Sequence, residues 1–217
     1  MQSITSLRPK HLKADNMLDL LDYRRQVSEL YRMLRMADDT AAACAQFRQA
    51  KDELFRSHPH SALDHQQKAV FNGLHYYDYD PAYRVVARVD TNVEPEVLNV
   101  DLGEDGHFSY RRFGQVTFAL PTGTGRLSLF WIMGYGGGVF LPFGDMTNRT
   151  STYGAGRYLY DTIKCADLGT DLEEIVLDFN FAYNPSCAYN PRWVCPLSPP
   201  ENRLPLAVEA GEKAFDH

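Results

Sequence analysis

Asp145, Asp178 and Glu212 fall at or just beyond runs that read as strand ends, with Glu209 close to the last of them and Arg157 and Arg203 as natural counter-charges. One carboxylate desolvated enough to keep its proton, beside another held ionised by arginine, is equipment for proton transfer. Asn180, Asn184 and Asn202, with Tyr153 and Tyr183, are suited to orient a carbonyl or hydroxyl or to stabilise an enolate-like oxyanion. The expected catalytic groups are therefore Asp145, Asp178 and Glu212. The expected ligand-binding groups are Tyr153, Arg157, Asn180, Tyr183, Asn184, Asn202 and Arg203. The same residue types also describe an inert network, because Asn and Arg buried beneath a long loop must be hydrogen-bonded for structural reasons.

Other chemistry-bearing residues carry less. His58, His60 and His65 lie in HPHSALDH, which lacks the helical i, i+4 register and the adjacent Glu of a zinc protease, so a polar loop is expected and no metal is assigned. GYGGG at 134–138 is followed by no Lys-Ser/Thr pair and does not match the dinucleotide fingerprint, so it reads as a hairpin turn and no cofactor is expected. Cys187 and Cys195 have seven residues between them, which is neither a CxxC redox pair nor half of a zinc knuckle. Free thiols are the expectation. A disulfide clamping the loop would need oxidising conditions, and a Cys-His nucleophile would need His75 or His107 to fold alongside.

The elements that must position these groups follow from periodicity and punctuation. The residues from Met17 to Arg35 place Leu18, Leu21 and Leu30 near one helical face, and Asp38 and Asp39 offer a cap for a second helix from Thr40 to Phe55 that ends near the His58-Pro59 turn. From Tyr83 onward the rhythm changes to short runs between turn residues: YRVVARVD, Glu96 to Asp101, the turn Gly103 to Gly106, His107 to Arg112, Gly114 to Leu120, Arg126 to Met133, Val139 to Phe143, Glu173 to Phe179 and Leu204 to Val208. The expected fold is mainly β with an N-terminal helical hairpin, an antiparallel β-barrel or closely packed β-sandwich, with residues 1–65 helical and 66–217 forming the β domain. Both motif groups begin where an apolar strand ends. Neighbouring strands are therefore expected to bring Asp145, Tyr153, Arg157, Asp178, Asn180 and Asn184 to one rim, beneath the long polar segment from Ile175 to Glu212.

Composition narrows the partners. A net charge of −6 leaves no basic excess to release counterions, which speaks against nucleic acid and against anionic membranes. The first sixteen residues contain no apolar signal-type core, and a cytoplasmic location is expected. Thirteen Tyr and twelve Phe favour strands and an aromatic-lined pocket for a small-molecule ligand, and a homodimer stays open.

FGDMT at 143–147, TYGAGRYL at 152–159, LDFNFAYNPSCA at 177–188, CP at 195–196, PENRL at 200–204 and AGE at 210–212, preceded by KDELF at 51–55 and FNGL at 71–74, together resemble the bacterial and archaeal domain of unknown function 1684 family. The resemblance covers roughly residues 45 to 212. It implies that the polar motifs belong to one recurrent constellation, and it brings no activity with it. NRTS after Thr147 departs from the more compact, glycine-containing turn expected there. Two functions from different classes fit: a small-molecule-binding β domain acting as a cofactor-independent acid/base enzyme on a small polar organic substrate, or a structural or partner-binding domain in which the constellation only pins the C-terminal loop.

Overall fold

A computed structural model describes residues 14–101 and 106–216, and the side chains from residue 17 onward within that range. Helices α1 (Ala14–Arg35) and α2 (Thr40–Ser57) form the helical hairpin. Asp39 caps α2 by accepting from the Ala41 and Ala42 N–H groups, each at 3.0 Å. Three- and four-residue spacing puts Cys44, Phe47, Lys51, Leu54 and Phe55 on the buried face of α2. On α1 the stripe that meets the core runs through Tyr23, Val27, Leu30, Tyr31 and Leu34. Leu30 and Tyr31 are buried, and an edge-to-face chain runs from Tyr31 to Phe47 to Phe181. Leu18 and Leu21, expected near one face with Leu30, are exposed because helical spacing turns them away from the Tyr23, Val27, Leu30 and Leu34 stripe that the core covers. A third helix, α3 (His65–Val70), starts at a reciprocal capping box between Asp64 and Gln67 that the loop reading of this stretch missed.

The sheet contains β1 (Arg84–Asp90), β2 (Val97–Asp101), β3 (His107–Leu120), β4 (Gly123–Ile132), β5 (Gly138–Phe143), β6 (Arg157–Asp161), β7 (Thr170–Asp171) and β8 (Glu174–Asp178). Every pairing is antiparallel, in the order β6-β5-β4-β3-β1-β8-β7, with β2 added on β3. The result is one curved half-barrel. The two runs expected at 107–112 and 114–120 are one strand, interrupted by a bulge between Arg112 and Gly114. The expected turn at Gly103 to Gly106 lies, apart from Gly106, outside the described residues.

Leu204 to Val208 is not a strand, contrary to expectation. Its backbone partners are turn groups and side chains: Leu204 N–H donates to the Gly144 carbonyl at 2.7 Å, the Leu206 carbonyl accepts from Met146 N–H at 3.0 Å, and Val208 N–H donates to Asp145 Oδ1 at 3.2 Å. With those partners the segment is a strap, and its alternating Leu204, Leu206 and Val208 are buried in the main core beside Leu127, Leu141 and Phe143.

The sheet has a core on each face. One cluster joins the helices to the sheet through residues such as Phe47, Leu54, Leu127, Leu177 and Phe179. Tyr110, Phe130, Ile132, Phe140 and Tyr158 form the other. Register then fixes which strand ends share an edge. Arg84 pairs with Asp178, Val89 with Val116, Val116 with Leu127, and Phe143 with Arg157. The ends of β5 and β8 and the start of β6 therefore lie along one edge of the sheet, although β5 and β8 are not neighbours. Curvature closes the gap: the Phe143 and Phe179 rings meet at 5.3 Å, and Tyr158 exchanges backbone hydrogen bonds with Tyr183. Among the described residues no helix is long and apolar enough to cross a membrane.

Candidate functional site

Arg157 opens β6 opposite Phe143, the last residue of β5. Gly156 precedes it at φ +98°, and a Cβ there would lie 2.5 Å from the Phe143 carbonyl oxygen, so only glycine lets the two strand ends approach this closely. The guanidinium is fully buried over the Phe143 ring. Its Nη2 donates to Asp145 Oδ2 at 3.0 Å and to the Val208 carbonyl at 2.9 Å, while Nη1 donates to the Glu212 carbonyl at 3.1 Å and to that of Ala210. Asp145 uses its other oxygen to accept from the Thr147 N–H at 2.8 Å, the Thr147 hydroxyl and the Val208 N–H. Arginine and aspartate together hold the 208–212 strap on the rim. Removing one partner of such a buried pair costs about 3–5 kcal/mol, because the other charge is left uncompensated.

The same strap delivers Glu212 to a second buried knot. Its carboxylate accepts from Lys51 Nζ on α2, from the Asn184 N–H at 2.9 Å and from the Tyr189 hydroxyl. Asn184 Nδ2 donates to the Lys213 carbonyl at 2.8 Å. Lys51 also sits 5.0 Å from the centre of the Tyr183 ring, and burial drives the Tyr183 phenol well above its usual range. Gly211 makes the turn between the knots at φ +76°, where a Cβ would lie 2.6 Å from both the Phe179 and the Ala182 carbonyl oxygens. Two atoms of these knots, Arg157 Nε and Asn184 Oδ1, are buried without a hydrogen-bond partner among the described residues.

Asp178 belongs to a third knot. Its Oδ1 accepts from Asn180 N–H at 3.1 Å and Asn180 Nδ2 at 2.9 Å, and Arg84 Nε stands 3.7 Å from Oδ2. Burial nevertheless raises the Asp178 carboxyl above its usual value, against the hydrogen bonds from Asn180 and the charge of Arg84. Asn180 completes its bonding on Asp80, accepting from its N–H at 3.0 Å and donating to its carbonyl at 2.8 Å. Arg48 spans from the Asn180 carbonyl at 3.4 Å to that of Tyr77 at 2.9 Å.

Asp145 and Arg157, Glu212 and Asn184, and Asp178 and Asn180 thus form three adjoining knots on one edge, the first two joined through the strap. Arg157 pairs with Asp145 and not with Asp178. Asn202 lies apart and acts as a surrogate strand residue, accepting from Ser128 N–H at 2.8 Å and donating to the Ser128 and Pro142 carbonyls at 2.9 and 2.8 Å. Arg203 is exposed and bridges to Gly144 through its backbone. Tyr153 is half-buried with its hydroxyl 3.7 Å from Cys187 Sγ, and burial pushes its phenol up to about 12. Sequence reasoning named neither Lys51 nor Tyr189 as part of the knot around Glu212. A lysine at the centre of the apolar stripe Phe47, Lys51, Leu54 was the available signal.

A separate hollow opens where β1 leaves β3, the two strands being paired only at Val89 and Asp90. This groove has a volume of about 1120 Å³, and its wall includes Arg88, Arg111, Phe113, Arg126, Trp131 and Val139 but none of the motif residues above. Phe113 and Trp131 meet edge to face at 6.5 Å. Arg88 is paired with Glu173 at 2.8 Å, whereas Arg111 and Arg126 have no ion pair among the described residues. A smaller hollow of about 410 Å³ between α1 and β8 reaches Asp178, Arg84 and Arg35. Among the described residues no three His, Cys, Asp or Glu side chains converge as a set of metal ligands.

With this geometry in place, the comparisons with known proteins are specific about kinship. The solution NMR structure of an uncharacterized protein from Haloarcula marismortui is 33% identical, covers 78% of this chain and 91% of that one, and superposes with a TM-score of 0.55. No curated protein matches the chain. The model of the family described as "Protein of unknown function (DUF1684)" matches residues 69–213, which takes in all three knots of the rim except Arg48 and Lys51, and the chain belongs to that family.

Proposed function

We propose that the protein is a small-molecule-binding half-barrel in which the rim knots act as a structural clasp and the ligand sits in the groove beside Arg111, Arg126 and Trp131. The carrying observation is the contrast in bonding. Both carboxylate oxygens of Asp145 and both of Glu212 are engaged by protein donors, leaving neither placed to take a proton from a substrate. The groove instead counts among its lining Arg111 and Arg126, which make no ion pair among the described residues, and an indole that is 43% exposed, with Asp90, Glu173 and Glu174 also on its wall. Planar guanidinium forks recognise carboxylates, and an aromatic wall takes an apolar body. The ligand class is therefore a small organic anion with an aryl or alkyl body, held by binding and not by acid/base turnover.

A thermal-shift series with aryl and alkyl carboxylates, each beside its neutral amide, tests this reading. The carboxylates are expected to raise the melting temperature of the wild type and to lose that effect in Arg111→Gln/Arg126→Gln and in Trp131→Ala. Protection by amides and acids alike, or protection that survives both variants, would overturn it. Turnover of a bound carboxylate that disappears in Asp178→Asn would restore the acid/base reading.

A further inference from the structure

The half-exposed Cys187 belongs to a cluster that neither the clasp nor the groove uses. Its sulfur lies 3.7 Å from the Tyr153 hydroxyl, its own N–H donates to Cys195 Sγ at 3.4 Å, and the buried Cys195 thiol hydrogen-bonds back to it. Both cysteines are free. The span between them is anchored independently. Tyr189 donates to Glu212, Asn190 Nδ2 donates to Asp64 at 2.9 Å and Gln67 at 3.0 Å, and the Trp193 indole donates to the Ala62 carbonyl at 3.0 Å. The two sulfurs are thus held beside each other by a loop bonded along its length, one reachable from solvent and one behind it.

That arrangement is what thiol–disulfide exchange requires: an accessible thiolate and a second thiol within reach of the mixed disulfide it forms. We propose that Cys187 and Cys195 constitute a thiol–disulfide exchange site for low-molecular-weight disulfides, with Cys187 as the attacking sulfur and Cys195 as the resolving one. The Cys187 thiol is drawn down to about 6, first by the hydrogen bond from Cys195 and then by Tyr153, against the effect of burial. Cys195 is pushed up, first by its bond to Cys187 and then by burial. The two thiols are therefore unequal in the sense the roles demand.

In the first step the Cys187 thiolate attacks one sulfur of the disulfide RSSR, forming Cys187–S–S–R and releasing RS⁻, which takes up a proton from solvent. In the second, Cys195 gives up its proton and attacks the Cys187 sulfur, expelling the other RS⁻. The chain loses two electrons and two protons, and RSSR becomes two RSH. The product disulfide closes the loop that carries Tyr189 to Glu212.

Oxidised glutathione added to the reduced full-length chain, followed by peptide mapping in a mass spectrometer, tests the site. The expected result is a Cys187–Cys195 crosslink with two glutathione thiols released per chain, and modification of half-exposed Cys165 roughly ten-fold slower or more. Cys195→Ser is expected to accumulate a glutathione adduct on Cys187, and Tyr153→Phe to slow its capture several-fold. Cys165 reacting as fast as Cys187 in the wild type, a readout that needs no variant, overturns the proposal. So does a Cys195→Ser chain of wild-type circular dichroism that holds no adduct on Cys187.

Discussion

The rim and the groove use the same residue types to opposite ends. At the rim, Arg157 donates to three backbone carbonyls and to Asp145, and every one of those partners is set by the fold. In the groove, Arg111 and Arg126 extend from ordinary strand positions with no acidic partner among the described residues. The rim is dense in sequence motif because each of its groups must meet a fixed partner, and a buried polar group left unpaired is expensive. The groove has almost no motif, because its wall is gathered from scattered positions on β1, β3, β4, β5 and the β7–β8 hairpin. Motif density here tracks structural constraint, and an unsatisfied, accessible charge is the better pointer to a ligand.

The sharpest way to break that contrast is Arg157→Met. It is expected to destabilise the chain by about 3–5 kcal/mol in a denaturant titration, since it strands the Asp145 carboxylate in the core. Adding Asp145→Leu should recover part of the loss, giving a double-mutant coupling that two independent surface charges would lack. If Arg157→Met melts like the wild type, the clasp account fails. Gly211→Ala comes next. A side chain at φ +76° that also collides with two carbonyls should cost more than about 1 kcal/mol, read from the shift in denaturation midpoint.

A smaller effect is expected for Asp178, and its sign can be set. Burial raises the folded-state carboxyl above the ordinary value of 3.8, so between those two values the folded chain binds more protons than the unfolded one. That contribution to stability is greatest below the ordinary value and is lost as pH rises toward the raised one. Asp178→Asn should therefore flatten the pH dependence in that window and leave neutral-pH stability equal or higher, as measured by melting temperature across an acid titration. Smallest of all, Arg111→Gln and Arg126→Gln are expected to change stability by no more than about 0.5 kcal/mol, because neither breaks a buried contact.

Much of the framework was legible locally. Asp38 and Asp39 marked the start of α2, where Asp39 is the cap, and the His58-Pro59 turn its end, while the strand-and-turn rhythm after Tyr83 gave the antiparallel sheet. Local pattern carried no sign of β1 sitting between β3 and β8, a pairing that spans about half the chain. Leu204 to Val208 read as a strand because alternating burial has the same period whether the backbone pairs with a strand or, as here, with Gly144, Met146 and Asp145. The rim motifs were found and placed on one edge, yet their division into three knots depended on partners outside the motifs, above all Arg48 and Asp80 for Asn180 and Tyr189 for Glu212. The groove was invisible to motif reading, since neither Arg111 nor Arg126 stands in any distinctive pattern.

The division of labour between clasp and groove is tested most directly by mapping a bound probe onto the chain. Naphthoate titrated into the nitrogen-labelled protein should move the Trp131 indole N–H and the amides around Arg111 and Arg126 in NMR spectra, and leave the side-chain amides of Asn180, Asn184 and Asn202 where they were. Saturable shifts at Asn180 and Asn184 with an unmoved Trp131 indole would contradict the account and return the ligand site to the rim.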